Sequence, residues 1–213
     1  WIIAISFVLL TLSGLALFYP AFFWLTALFG GPQATRIVHP FIGVFMCLFF
    51  VIQAVRFFKA NLFRRHDVQW ARQIGDVLNN RDDRLPPVGQ NNAGQKLVYW
   101  IFLLCVPALL VTGIIIWQPY FAMAMPRNLL RFAAMLHALV AFVAIVTLII
   151  HVYSAIWVKG SIRAMTRGRV SHAWARHHHS LWYEEVMRGE RHGDGSALPG
   201  HEPDDDNTRR RHT

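Results

Sequence analysis

Three histidines stand where an ionisable side chain needs a reason. His137 and His151 lie in an apolar run, 132–158, that contains no Asp, Glu, Lys or Arg. As a helix this run is roughly 40 Å long at about 1.5 Å per residue, enough to cross a bilayer core of about 30 Å. Ionisable groups at such depth are costly and mark function. The pair is 14 residues apart, which sets both rings within about 40° of one helix face and roughly 21 Å apart along the axis. Two depths suit two stacked cofactors better than one site. His39, directly before Pro40, is the third candidate. Imidazoles from two facing helices at one depth can fill both axial positions of a haem iron, and bundle cores are where such sites are built. A lone membrane histidine serves as readily as a hydrogen-bonding link between helices. Two on one face, with a third at a matching depth, weigh against that reading.

These side chains need apolar helices to position them, and four stretches are almost purely apolar: 1–19, closed by Pro20; 41–55, ending at Arg56 and Lys59; 97–117, with Pro107 inside; and 132–158, ending at Lys159. The second is short alone, but its flanks can extend it. The expected fold is all-α, an integral membrane four-helix bundle binding haem. The first 160 residues form the membrane domain, including a loop at about 61–96. Residues 161–192 form a basic amphipathic segment at the membrane surface. Residues 193–213, poor in apolar side chains, are expected to be disordered. A short helix is expected near 67–78.

The chain has 213 residues and a net charge of +9, which in another protein would suggest nucleic acid. Here the basic residues gather between the second and third apolar stretches and after the fourth, while the other two loops hold only Arg36, Arg127 and Arg131. This is the positive-inside pattern. It places the 61–96 loop and both termini in the cytoplasm. His39 and His137 then share the outer half of the membrane, and His151 lies in the inner half. The first residue is Trp, so the gene product is expected to begin earlier. The depth argument puts the partner of His151 at or just before Trp1.

Other candidates receive plainer readings. Cys47 and Cys105 are buried thiols. His177, His178 and His179, like His66, His172, His192, His201 and His212, read as solvated. Asn92, Gly94 and Gln95, at the inner end of the third helix, suit capping. An amide can also bond a quinone carbonyl, and glycine permits close approach.

The chain resembles the gamma subunit, a membrane cytochrome b, of respiratory formate dehydrogenase. The residues that carry the resemblance begin with Leu12-Ser13-Gly14 and Arg36-Ile37-Val38-His39-Pro40. They continue with Asn92-Ala93-Gly94-Gln95-Lys96 and Val111-Thr112-Gly113-Ile114-Ile115-Ile116-Trp117. They end with His151, Trp157-Val158-Lys159-Gly160-Ser161-Ile162 and the basic stretch from Trp174 to Tyr183. The resemblance runs from Trp1 to about Met187. It implies two b-type haems, with His39 and His137 on the outer iron and His151 on the inner one. It implies that the fourth ligand is a histidine just before Trp1. It implies reduction of menaquinone or ubiquinone beside Asn92, Gly94 and Gln95. The implied partners are an iron–sulfur beta subunit and a molybdopterin- or tungstopterin-containing alpha subunit that oxidises formate outside, in a trimer of heterotrimers. Electrons would pass inward across the two haems; formate chemistry would lie outside this chain. A cytochrome b of a hydrogenase or thiosulfate reductase is a close rival. A haem-free membrane anchor or transporter is a rival of another class.

Overall fold

The computed structural model describes residues 1–78, 86–158 and 160–191. The expected tail at 193–213, with His192, His201 and His212, lies outside the described residues. Nine α-helices occur in the described part: α1 Ile2–Phe18, α2 Pro32–Phe57, α3 Arg65–Arg72, α4 Ile74–Leu78, α5 Ala93–Ile116, α6 Arg127–Trp157, α7 Ser161–Arg167, α8 His172–His178 and α9 Ser180–Arg191. No strand occurs among the described residues. Three helices, α2, α5 and α6, are long and apolar enough to cross a membrane. The fourth apolar helix, α1, has 17 residues, about 25 Å at 1.5 Å per residue.

Two compact units are present. The first comprises 1–59 and 98–150. Its core joins Phe7 of α1, Met46 and Cys47 of α2, Cys105 and Val106 of α5, and Ala144 of α6. Phe7 meets Phe102 edge to face at 5.5 Å, an arrangement aromatic rings favour. The Tyr99 hydroxyl donates to the Ala54 carbonyl at 2.8 Å, tying α5 to α2. Cys47 and Cys105 are buried and free, as expected. Outward faces are apolar: Leu48 is 62% exposed, Leu104 72% and Phe142 64%. Such a surface needs lipid to cover it.

Helix α2 starts nine residues before its apolar run. A 3₁₀ helix, Pro20–Phe29, precedes it, and the chain turns through Gly30 and Gly31 at φ 86° and 99°, values that favour glycine. Pro32 then opens the helix, where its missing N–H costs nothing. Buried Thr35 anchors the turn by donating to the Gly31 carbonyl at 2.8 Å. The apolar run begins only at 41 because the polar Gln33, Thr35 and Arg36 mask the helical start. His39 is therefore inside the helix, one residue before the internal Pro40.

The second unit comprises 60–97 and 151 onward. The helix expected near 67–78 occurs as two pieces, α3 and α4. Asp67 and Lys96 form a buried ion pair at 2.7 Å, each side chain under 4% exposed. The same Asp67 oxygen accepts the Arg64 backbone N–H, closing the first turn of α3. Asn91 donates to buried Asn61 at 3.0 Å. The basic stretch folds as α7, α8 and α9. Gly160, at φ 95°, starts α7, and a Cβ there would lie 2.5 Å from the Trp174 ring nitrogen.

Candidate functional site

His39 and His137 come together. Their ring centres are 6.4 Å apart, with ring planes at 67°, and both side chains are half-buried. Phe41, two residues after His39, packs edge to face at 5.2 Å against Trp117, the residue after α5.

Each ring is held from a neighbouring helix. Ser13 Oγ of α1 lies 2.8 Å from His39 Nδ1. Thr112 Oγ1 of α5 lies 2.9 Å from His137 Nδ1. The direction of these bonds follows from where each hydroxyl proton goes. Ser13 Oγ sits 2.7 Å from the Leu9 carbonyl, and Thr112 Oγ1 sits 2.7 Å from the Ala108 carbonyl. Two oxygens that close need a proton between them, and a hydroxyl has only one. It is donated to the carbonyl, so the ring Nδ1–H donates to the hydroxyl oxygen. The neutral imidazole then carries its free lone pair on Nε2.

That donor set fits a bis-imidazole metal site. The 6.4 Å between ring centres would leave room for a metal ion bound by both rings at an ordinary metal–imidazole length of about 2 Å. Glycine follows each hydroxyl residue. A Cβ at Gly14 would lie 3.4 Å from His39 Cε1, and one at Gly113 would lie 3.4 Å from His137 Cε1. Both rings sit in a space that a side chain would crowd. Ser13, Gly14, Thr112 and Gly113 fall within the motifs that carry the resemblance, with no role evident from sequence. A signal was available: a hydroxyl residue followed by glycine, 26 and 25 residues before each histidine.

His151 lies 14 residues beyond His137 on α6 and is exposed in this chain. No group of three or more His, Cys, Asp or Glu able to hold a metal ion occurs among the described residues. A two-histidine site of the kind formed by His39 and His137 falls outside that pattern.

Asn92 and Gln95 form a reciprocal cap at the start of α5. The Asn92 N–H donates to Gln95 Oε1 and the Gln95 N–H to Asn92 Oδ1, each at 2.9 Å. This is the capping-box arrangement, with Asn in the first position. Gly94 lies against Trp70, where a Cβ would be 3.3 Å from the ring. Lys96, the next residue after the cap, is bound to Asp67.

His179 departs from the solvated reading. It is buried, and its Nδ1–H donates to the Gly89 carbonyl at 2.8 Å. The Leu181 N–H donates to the Val88 carbonyl alongside it. Burial holds its pKa below the ordinary value, with the Gly89 bond pulling the other way. His177 is exposed, as expected; His66 and His172 are half-buried. Composition cannot reveal which members of a basic tract fold back on a neighbouring loop.

Two half-buried imidazoles meet in an apolar helical core, and the chain belongs to the prokaryotic cytochrome b561 family, whose profile matches residues 1–168. Individual relatives narrow this further. The chain is 44% identical over 188 residues to the formate dehydrogenase cytochrome b556(fdo) subunit of Escherichia coli K12, covering 88% of each chain. It is 41% identical over 190 residues to the nitrate-inducible formate dehydrogenase cytochrome b556(Fdn) subunit of the same organism, covering 89% of this chain and 88% of the relative. It is 38% identical over 187 residues to the formate dehydrogenase cytochrome b556 subunit of Haemophilus influenzae, covering 88% and 79%. The resemblance read from the motifs is borne out. With its membrane-length helices, the chain is a multi-pass protein of the bacterial inner membrane.

Proposed function

We propose that this chain is the membrane cytochrome b subunit of a formate dehydrogenase, passing electrons from an iron–sulfur partner on the outer side to quinone on the cytoplasmic side. The observation that carries the proposal is the 6.4 Å pairing of His39 and His137 in a chain 44% identical to a formate dehydrogenase cytochrome subunit. In this reading all four apolar helices cross the membrane, and both termini are cytoplasmic. His39 and His137 hold the outer haem through Nε2, and His151 supplies a ligand to an inner haem. The haems supply one-electron transfer; the protein sets their ligands and spacing.

The quinone role falls to Asn92, Gly94 and Gln95. The cap occupies both side-chain oxygens, which leaves the two NH2 groups as the donors a quinone carbonyl accepts. The Lys96–Asp67 pair fixes the start of α5, and with it these amides. Formate oxidation belongs to a molybdopterin or tungstopterin subunit, and three such assemblies form the proposed trimer.

Haem content tests the reading. The wild-type chain, in detergent-solubilised membranes, should show a b-type reduced-minus-oxidised spectrum with two haems per chain. His137→Ala should leave one and abolish formate-to-quinone activity. Wild-type haem content in that variant would remove the ligand assignment, and absence of any b-type band in the wild type would leave a haem-free anchor.

A further inference from the structure

Hydroxyl residues that bond back to their own helix are ordinary in apolar helices. Thr147 does so to the Val143 carbonyl at 2.8 Å, and Thr166 does so to the Ile162 carbonyl at 2.8 Å. Neither is followed by glycine. Ser13 and Thr112 differ in two respects. Each has an imidazole Nδ1 on its second lone pair, contributed by another helix. Each is followed by a glycine whose missing side chain makes room for the edge of that same ring. The arrangement occurs once on α1 toward α2 and once on α5 toward α6, and the two rings so held face one another across 6.4 Å.

An acceptor on the remote N–H of a ligating imidazole fixes its tautomer and raises its basicity, and loss of such a partner commonly costs 10–100-fold in metal affinity. A more basic ligand favours the more highly charged oxidised iron. We infer that Ser13 and Thr112 are matched positioning residues, which hold His39 and His137 in the Nδ1–H form and thereby set the midpoint potential of the outer haem. The inference rests on the assignment of these two histidines as its ligands.

The test is a redox titration of the membrane-embedded protein, with each haem followed by its visible and low-temperature EPR signals. Ser13→Ala and Thr112→Val should each raise the outer midpoint. A tenfold loss of ferric over ferrous preference corresponds to about 59 mV for a one-electron couple. The inner haem should keep its potential in the same sample, reporting that the helices are intact. Ser13→Thr and Thr112→Ser should retain the wild-type outer value. An outer potential unchanged in both hydroxyl-free variants overturns the inference, as does a parallel shift of both haems, the mark of a general structural loss. If His137→Ala keeps its full haem content, the ligand assignment itself fails. If it loses the haem while Ser13→Ala and Thr112→Val titrate as wild type, only the positioning role fails.

Discussion

A hydroxyl that has already given its proton to a backbone carbonyl can only accept, and that constraint orients two imidazoles in an apolar core without any carboxylate. A carboxylate partner would bring a charge into the membrane at a cost of several kcal/mol; Ser13 and Thr112 supply a neutral acceptor. His179 illustrates the same polarity outside the membrane, with the Gly89 carbonyl as acceptor. Burial holds its folded-state pKa below the ordinary histidine value of 6.5, so the folded chain takes up its proton later than the unfolded chain as pH falls. By linkage, the stability of this contact is complete above about 6.5 and declines as pH drops from there through the lowered folded value. Hydrogen exchange at the Leu181 amide should therefore quicken as pH is taken below 6.5, beyond the intrinsic trend. His179→Gln should flatten that dependence; an unchanged profile in the variant would show that another group is responsible.

At the scale of elements, the long apolar helices were legible because hydropathy reports them directly. What hydropathy missed was their polar ends. Residues 32–40 of α2 carry Gln33, Thr35, Arg36 and two prolines, yet Pro32 at the first turn and Thr35 on the Gly31 carbonyl make them helical. The histidines were legible as residues out of place, and the pairing of His39 with His137 followed from depth alone. Their hydroxyl partners were harder to read, since Ser and Thr are common in apolar helices and the glycine after Ser13 and Thr112 gains meaning only beside the three-dimensional contact. The Lys96–Asp67 pair was equally hidden, being two charges 29 residues apart in a charged loop. Removing one member of a buried pair strands the other, at a cost of about 3–5 kcal/mol. Lys96→Met should therefore lower the thermal stability of the solubilised protein and weaken quinone-analogue binding at the Asn92–Gln95 cap. The double variant Lys96→Met, Asp67→Leu should recover much of the stability. If the single variant melts as wild type, the pair does not anchor α5.

Across the whole chain, the proposed orientation rests on the charge carried by the loops. Met123, 82% exposed between α5 and α6, belongs to the lightly charged side, and exposed Gln90 to the basic one. Cys47 and Cys105 are buried, so added thiols can be read against a quiet background. In intact spheroplasts a membrane-impermeant maleimide should label Met123→Cys and spare Gln90→Cys until the membrane is opened. The reverse pattern would invert the proposed path of electrons.

The clamp on His39 needs only α1 and α2, and the clamp on His137 needs only α5 and α6. Each hairpin thus carries one complete histidine–hydroxyl contact of its own. On the proposed ligand assignment, a haem held by both imidazoles would tie these two hairpins together.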